Sequence, residues 1–178
     1  MKQLEISMEK KRLLIVDDEE DLRDILAHQL KQLGAEIVLA ENGRVALELV
    51  KAEKFDAVLS DISMPEMTGL EFLAGVRAFE CQTPFVILTG FGDKSKAVEA
   101  LRLGAFDFME KPWDPDQLRR TINDAMELGV RMRSIEDELD AVLAGFRNIS
   151  EEQRNQLRLV QRSLLMMKLH KNLMLKKV

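Results

Sequence analysis

A chain of 178 residues has room for one ordinary domain with an extension, or for two very small domains. Its 46% apolar content, with one Trp and no Tyr, supplies a packed core built mainly from Leu, Val, Ile and Met. The net charge of −5 is unevenly divided: residues 1–149 hold 29 acidic and 19 basic side chains, residues 150–178 hold 2 and 7. The acidic front argues against nonspecific nucleic-acid binding there, while the tail is basic. No apolar run approaches the ~20 residues of a membrane span, and the mixed charge of Met1 to Arg12 does not read as a signal peptide. Cys81 stands alone, which excludes a disulfide framework and points to a reducing, cytoplasmic compartment.

Arg12 to Val16 is a short apolar run that stops at an acidic cluster, the pattern of a buried parallel strand. Leu22, Ile25, Leu26, Leu30 and Leu33 then recur on one helical face up to Gly34. Glu36 to Ala40 reads as a second strand, Asn42-Gly43 as a turn, and Val45, Leu47 and Val50 as a second helix to about Lys54. A third strand ends at Asp61. A loop containing Pro65 and Gly69 follows, and Leu70, Phe72, Leu73 and Val76 mark a third helix. Pro84 to Leu88 is a fourth strand, followed by Thr89-Gly90, and Asp93 to Leu103 a fourth helix closed by Gly104. Phe106 to Met109 is a fifth strand, followed by Glu110-Lys111-Pro112, and helix formers dominate from Asp116 onward.

Five strand–helix units in about 120 residues predict a doubly wound α/β fold, a parallel five-stranded sheet with helices on both faces. Right-handed crossovers bring every strand's C-terminal end to one edge, where open α/β sheets place their ligands. Asp17, Asp18, Asp61, Thr89 and Lys111 are all predicted on that edge. Asp61 alone could cap a loop, and Asp17 and Asp18 could cap the first helix. Convergence of all five is what makes the edge a candidate site. Three crowded carboxylates call for a cation. Their hard oxygens suit Mg²⁺, which takes one or two carboxylates and keeps positions open for water or a phosphate oxygen. A carboxylate beside such a metal can attack a phosphoryl group, with an ammonium and a hydroxyl stabilising the oxygens as charge shifts.

The acidic pair Asp17-Asp18, the run DISMPEMTG around Asp61, LTG with Thr89 and EKP with Lys111 resemble the receiver domain of two-component response regulators, of the chemotaxis-receiver type. The resemblance covers roughly Lys11 to Leu128. It implies a flavodoxin-like sheet of order 2-1-3-4-5, with Asp61 as phosphoacceptor and a histidine kinase or phosphotransfer protein as donor. It also implies Mg²⁺ held by Asp17, Asp18, Asp61 and the backbone carbonyl of Ser63. Thr89 and Lys111 would be the switch hydroxyl and the phosphoryl-binding cation, and Lys111-Pro112 a cis peptide. Phe108 would be the switch aromatic, although an ordinary half-buried ring fits that position as well. Ser63 and Phe91 would flank the path of the hydrolytic water. A haloacid-dehalogenase-type phosphatase uses the same parts, but places its nucleophile after the first strand and its acidic pair late, the reverse of the order here. A receiver acting mainly as a scaffold or adaptor is the remaining alternative.

The expected layout is a lead over residues 1–10, a receiver over 11–128 and a helical extension over 129–178. Ala125, Leu128, Met132, Ile135, Leu139, Val142, Phe146 and Ile149 follow the 3, 4 alternation of a coiled coil. This seam predicts a homodimer; a helix folded back on its own receiver is the alternative. Gly145 and Asn148 weaken the helix, a break is expected near 145–150, and Ser150 with Gln153 reads as a capping box opening another helix. The tail shows no phosphate loop, metal-ligand cluster or DNA-reading unit, so the downstream partner is left unnamed.

Overall fold

The computed structural model describes residues 10–90, 94–145 and 150–160. These fall into two compact units, divided between Gly129 and Val130. The first unit contains β1 (Arg12–Val16), α1 (Glu20–Leu30), β2 (Glu36–Ala40), α2 (Gly43–Ala52), β3 (Ala57–Asp61) and α3 (Gly69–Ala78). These are followed by β4 (Phe85–Thr89), α4 (Lys94–Arg102), β5 (Asp107–Glu110) and the first half of α5 (Pro115–Ala144). The strands form one all-parallel sheet of order β2-β1-β3-β4-β5, as the resemblance implied. No helix among the described residues is long and apolar enough to cross a membrane.

Alternation along the strands builds two cores. Leu14, Val16, Val58, Phe85 and Ile87 pack on one side with Val50, Phe72, Leu73 and Val76 from α2 and α3. Leu13, Ile15, Leu59, Val86 and Leu88 pack on the other with Leu26 and Leu30 of α1 and Leu118, Ile122 and Met126 of α5. Most of these side chains are fully buried, each worth roughly 1.5–3 kcal/mol against exposure. The two layers of helices hold the sheet rigid and leave its C-terminal edge open for chemistry.

Several expected boundaries move by a residue, and the backbone explains each shift. Thr89 pairs with Glu110 across β4 and β5, so both strands run one residue further than their apolar runs suggest. Asn42-Gly43 is not a free turn: Asn42 is extended (φ −162°) and its side chain accepts a hydrogen bond from the Val45 N–H at 2.9 Å, starting α2 at Gly43. The first helix stops at Leu30, short of the expected Gly34, and a 3-10 turn over Lys31–Leu33 carries the chain on to it; Gly34 and Gly104 are both left-handed, φ 69° and 86°. Thr68 and Glu71 form a reciprocal capping box at the start of α3. The Thr-Gly-Leu-Glu spacing carries that signal in the sequence.

Arg77, on the last turn of α3, donates to the carbonyls of Cys81, Thr83 and Gly104 at 2.7–3.1 Å and lies over the Phe85 ring. Burial lowers its guanidinium to about 10, partly opposed by the neighbouring Cys81 thiol. It fastens the loops before β4 and β5, at the edge opposite the strand C-termini. On α5, an added side chain at Gly129 would bring a Cβ to 1.9 Å from the Asp56 carbonyl, so only glycine lets α5 approach β3 this closely.

In the second unit α5 continues to Ala144, and helix resumes over residues 151–160. The expected capping box is present: the Gln153 N–H donates to Ser150 Oγ at 3.2 Å and the Ser150 N–H to Gln153 Oε1 at 3.0 Å. Arg158 pairs with Asp140 at 2.8 Å, joining the two helical segments.

Candidate functional site

Four of the five strand ends deliver a group to the open edge. The residue after β1 is Asp17, the last of β3 is Asp61, the last of β4 is Thr89, and Lys111 follows β5. Asp17, Asp61 and Thr89 are buried. They stay in place because the backbone beneath them is paired: Ile62 N–H donates to Leu88 O at 2.9 Å and Lys111 N–H to Thr89 O at 2.8 Å. Gly69 tightens the frame, since a Cβ there would lie 2.2 Å from the Asp61 carbonyl. The start of α3 therefore rests directly on the end of β3.

Lys111 is the hub. Its ammonium forms an ion pair with Asp61 Oδ1 and lies 3.3 Å from Asp17 Oδ2. The second oxygen of each carboxylate accepts a backbone N–H, Asp61 Oδ2 from Ser63 at 2.6 Å and Asp17 Oδ1 from Glu19 at 2.9 Å. Burial lifts the Asp17 carboxyl above its usual range; the Glu19 N–H and Lys111 oppose this, and the charge of Asp61 adds to it. Burial works against the Lys111 ammonium, but Asp61 and Asp17 overcome it and raise its pKa. The Lys111-Pro112 peptide is cis.

Not every expected residue joins this cluster. Asp18 is exposed. The Thr89 hydroxyl donates to the carbonyl of Gly90 at 3.2 Å. Phe108 is half-buried and packs against the core beside α2, α3 and α4. Phe91 lies outside the described residues. Among the described residues, no three His, Cys, Asp or Glu side chains are gathered so as to hold a metal ion. The chemistry of the donors nevertheless fits a cation. Two buried carboxylates share one ammonium, which leaves the cluster one negative charge in excess before Asp18 is counted.

Sequence reasoning passed over two neighbours. Arg23 of α1 donates to the Asp17 carbonyl at 2.6 Å, fixing the turn that carries the acidic pair. Lys96 of α4 places its ammonium 3.4 Å from Ser63 Oγ. Neither carries a motif, and a charged residue on a polar helix face reads as solvated.

The sheet order and the opposed charges at its C-terminal edge define the class, a doubly wound α/β domain of the receiver kind. The chain belongs to the response regulator receiver domain family, whose sequence profile matches residues 13–123. It is 44% identical over 117 residues to the regulatory protein AtoC of Escherichia coli (strain K12), a match covering 66% of this chain and 25% of AtoC. It is 36% identical over 117 residues to the transcriptional regulatory protein FixJ of Bradyrhizobium diazoefficiens, covering 66% and 57%. Among solved structures, FixJ-N superposes with a TM-score of 0.63 at 32% identity, covering 67% of this chain and 96% of that one. The chemotaxis response regulator CheY4 of Vibrio cholerae superposes with a TM-score of 0.61 at 34% identity, covering 66% and 99%. The chain spans about a quarter of the length of AtoC and just over half that of FixJ. The match to these regulators runs through their receiver portion.

Proposed function

We propose that Asp61 is the phosphoacceptor of this receiver and that a histidine kinase or phosphotransfer protein is its donor. The observation that carries the reading is the setting of Asp61. It is a buried carboxylate at the end of the central strand, with one oxygen on Lys111 and the other on the Ser63 N–H. In transfer from a phosphohistidine, an Asp61 oxygen forms a bond to phosphorus as the donor's P–N bond breaks, and the imidazole leaves with the electron pair. Lys111 then exchanges part of its contact with the carboxylate for a phosphoryl oxygen. The Thr89 hydroxyl, at the adjacent strand end, turns from the Gly90 carbonyl to donate to the same group, and Phe108 follows on β5. Asp17, Asp18, Asp61 and the Ser63 carbonyl would hold Mg²⁺. When bound, that ion neutralises the carboxylates and the transferring oxygens. The only chemistry assigned to the chain is its own phosphorylation and the later hydrolysis.

The reading is tested by incubating the chain with acetyl phosphate and Mg²⁺. One phosphoryl group per chain, removed by hydroxylamine as an acyl phosphate must be, is the expected product. Unmodified protein, or a group that resists hydroxylamine, contradicts it.

Residues 129–178 are proposed as a helical extension that pairs with a second copy, on a receiver over 11–128 with a lead over 1–10. The protomer itself buries Leu128 and Met132, leaves Ile135 and Leu139 half-buried, and exposes Val142, with Leu143 buried in its place. The remaining seam positions, Phe146 and Ile149, lie outside the described residues. Exposed Val142, Leu157 and Val160 add apolar surface that a second copy would cover. Leu139→Glu is expected to weaken the dimer by at least about ten-fold, because it sets two carboxylates in an apolar seam. A chain ending at Leu128 is expected to be monomeric and still accept phosphate. Sedimentation equilibrium decides: a full-length monomer at tens of micromolar, or an equally dimeric truncation, removes the proposal.

A further inference from the structure

We propose that Arg23 is the positioning residue of the acidic pair, holding the Asp17-Asp18 turn in the form that takes a divalent cation. The inference rests on the reading of this edge as a phosphoacceptor site that works with Mg²⁺. Glu19, at the N-cap of α1, makes no side-chain cap, and the turn before it is held from elsewhere. The Asp17 N–H donates to the Ala40 carbonyl of β2 at 3.3 Å, and Asp17 Oδ1 accepts the Glu19 N–H at 2.9 Å. Arg23 supplies the third tie: from one turn into the helix, its guanidinium reaches back to the Asp17 carbonyl at 2.6 Å. Its own N–H donates to the Glu19 carbonyl at 3.0 Å, so one residue grips both ends of the turn. Asp18 lies within that turn and is exposed. Among the described residues Arg23 forms no ion pair, and its charge meets a carbonyl rather than a carboxylate.

Asp17 and Asp18 are adjacent, and Asp17 shares Lys111 with Asp61. Repulsion between like charges favours a turn that opens and lets the carboxylates move apart. A cation site needs the opposite, carboxylates gathered before the ion arrives. Arg23 resists that opening without occupying a carboxylate oxygen. Asp17 Oδ1 is engaged by the Glu19 N–H, while Oδ2 faces Lys111 at 3.3 Å, longer than most charge-assisted bonds. Oδ2 is therefore the oxygen open to a second cation. Position and charge make opposite forecasts for Arg23. As a bare positive charge it repels Mg²⁺, and its removal would strengthen binding. As the fastening of the turn, its removal leaves the ion to order the chain and weakens binding.

The test titrates Mg²⁺ by calorimetry into the native chain, Arg23→Met and Arg23→Lys, each shown to be folded by its melting curve without metal. Arg23→Met keeps an apolar stem but no donor, and is expected to bind Mg²⁺ about ten-fold more weakly. Arg23→Lys keeps a donor for the carbonyl and should recover most of that loss. Phosphorylation by acetyl phosphate gives the second readout. Arg23→Met should need correspondingly more Mg²⁺ for half its maximal rate, with the maximal rate itself close to native, because Asp61 and Lys111 are untouched. Arg23→Gln repeats the test should the methionine variant fail to fold. Equal or tighter Mg²⁺ binding by the neutral variant overturns the positioning role, as does an equal loss in Arg23→Lys or a fall in the maximal rate at saturating Mg²⁺. In each of those cases the native chain still takes phosphate and the acceptor reading stands. A native chain that neither binds Mg²⁺ nor takes phosphate overturns that reading and this inference together.

Discussion

Asp61→Asn is expected to abolish phosphorylation by acetyl phosphate and Mg²⁺, a loss of at least about a thousand-fold in rate. The amide keeps the size of the side chain and one oxygen for the Ser63 N–H, so the fold should survive. It lacks the anionic oxygen that attacks phosphorus. Asp17 is the control that makes the result specific. It shares Lys111 with Asp61 and is as well buried, so it is the carboxylate best placed to substitute. Asp17→Asn should still accept phosphate, at a reduced rate and with weaker dependence on Mg²⁺. Intact-mass spectra over a time course separate the two variants. Undiminished phosphate on Asp61→Asn places the acceptor elsewhere.

Lys111→Met should cost roughly 3 kcal/mol of stability at pH 7, at the low end for a broken buried pair because a quarter of the lysine side chain is exposed. The penalty should depend on pH. The Asp17 carboxyl is already more basic folded than unfolded, through burial first and the charge of Asp61 second. Removing Lys111 takes away an attraction that holds it down, so it rises further. A carboxyl raised on folding contributes stability that is full below its unfolded pKa, about 3.9. That contribution is lost as pH climbs towards the folded value. The deficit of Lys111→Met should therefore shrink as pH falls from 7 towards 4. Millimolar Mg²⁺ should recover part of it at neutral pH, since a divalent cation can replace the missing ammonium. Urea unfolding at several pH values, with and without Mg²⁺, gives the answer. A deficit that is the same at every pH would mean that Lys111 acts only through the packing of its stem.

Much of this architecture was legible because the strands are short apolar runs with sharp ends. Arg12–Val16 and Glu36–Ala40 were placed to the residue, since charged or turn residues bound them on both sides. Topology alone then carried Asp17, Asp61 and Lys111 to one edge, where the ion pairs join them. The limits are equally physical. Whether a strand continues through Thr89 depends on a partner at Glu110 that no local pattern announces. Where the Thr89 hydroxyl points is a rotamer, set by the Gly90 carbonyl. Lys96 was invisible because its contact to Ser63 spans 33 positions. The helical seam misled at its start: Ala125 belongs to the core under the sheet, so a 3, 4 pattern meant for a partner and one meant for the sheet ran together.

One consequence follows from Trp113. It is the single tryptophan of the chain, it stands two residues after Lys111, and its indole N–H donates to Gln29 on α1 at 3.0 Å. Tryptophan emission responds to the polarity and hydrogen bonding around the ring. The protein thus carries one intrinsic fluorophore, tethered by a proline to the cation at the centre of the site. On the proposal that Asp61 takes a phosphoryl group, a rearrangement of Lys111 is expected to disturb that bond with Gln29 and so to change the colour or intensity of emission. Stopped-flow mixing of the unlabelled chain with acetyl phosphate and Mg²⁺ would then report the change from a single fluorophore, without background from any second tryptophan.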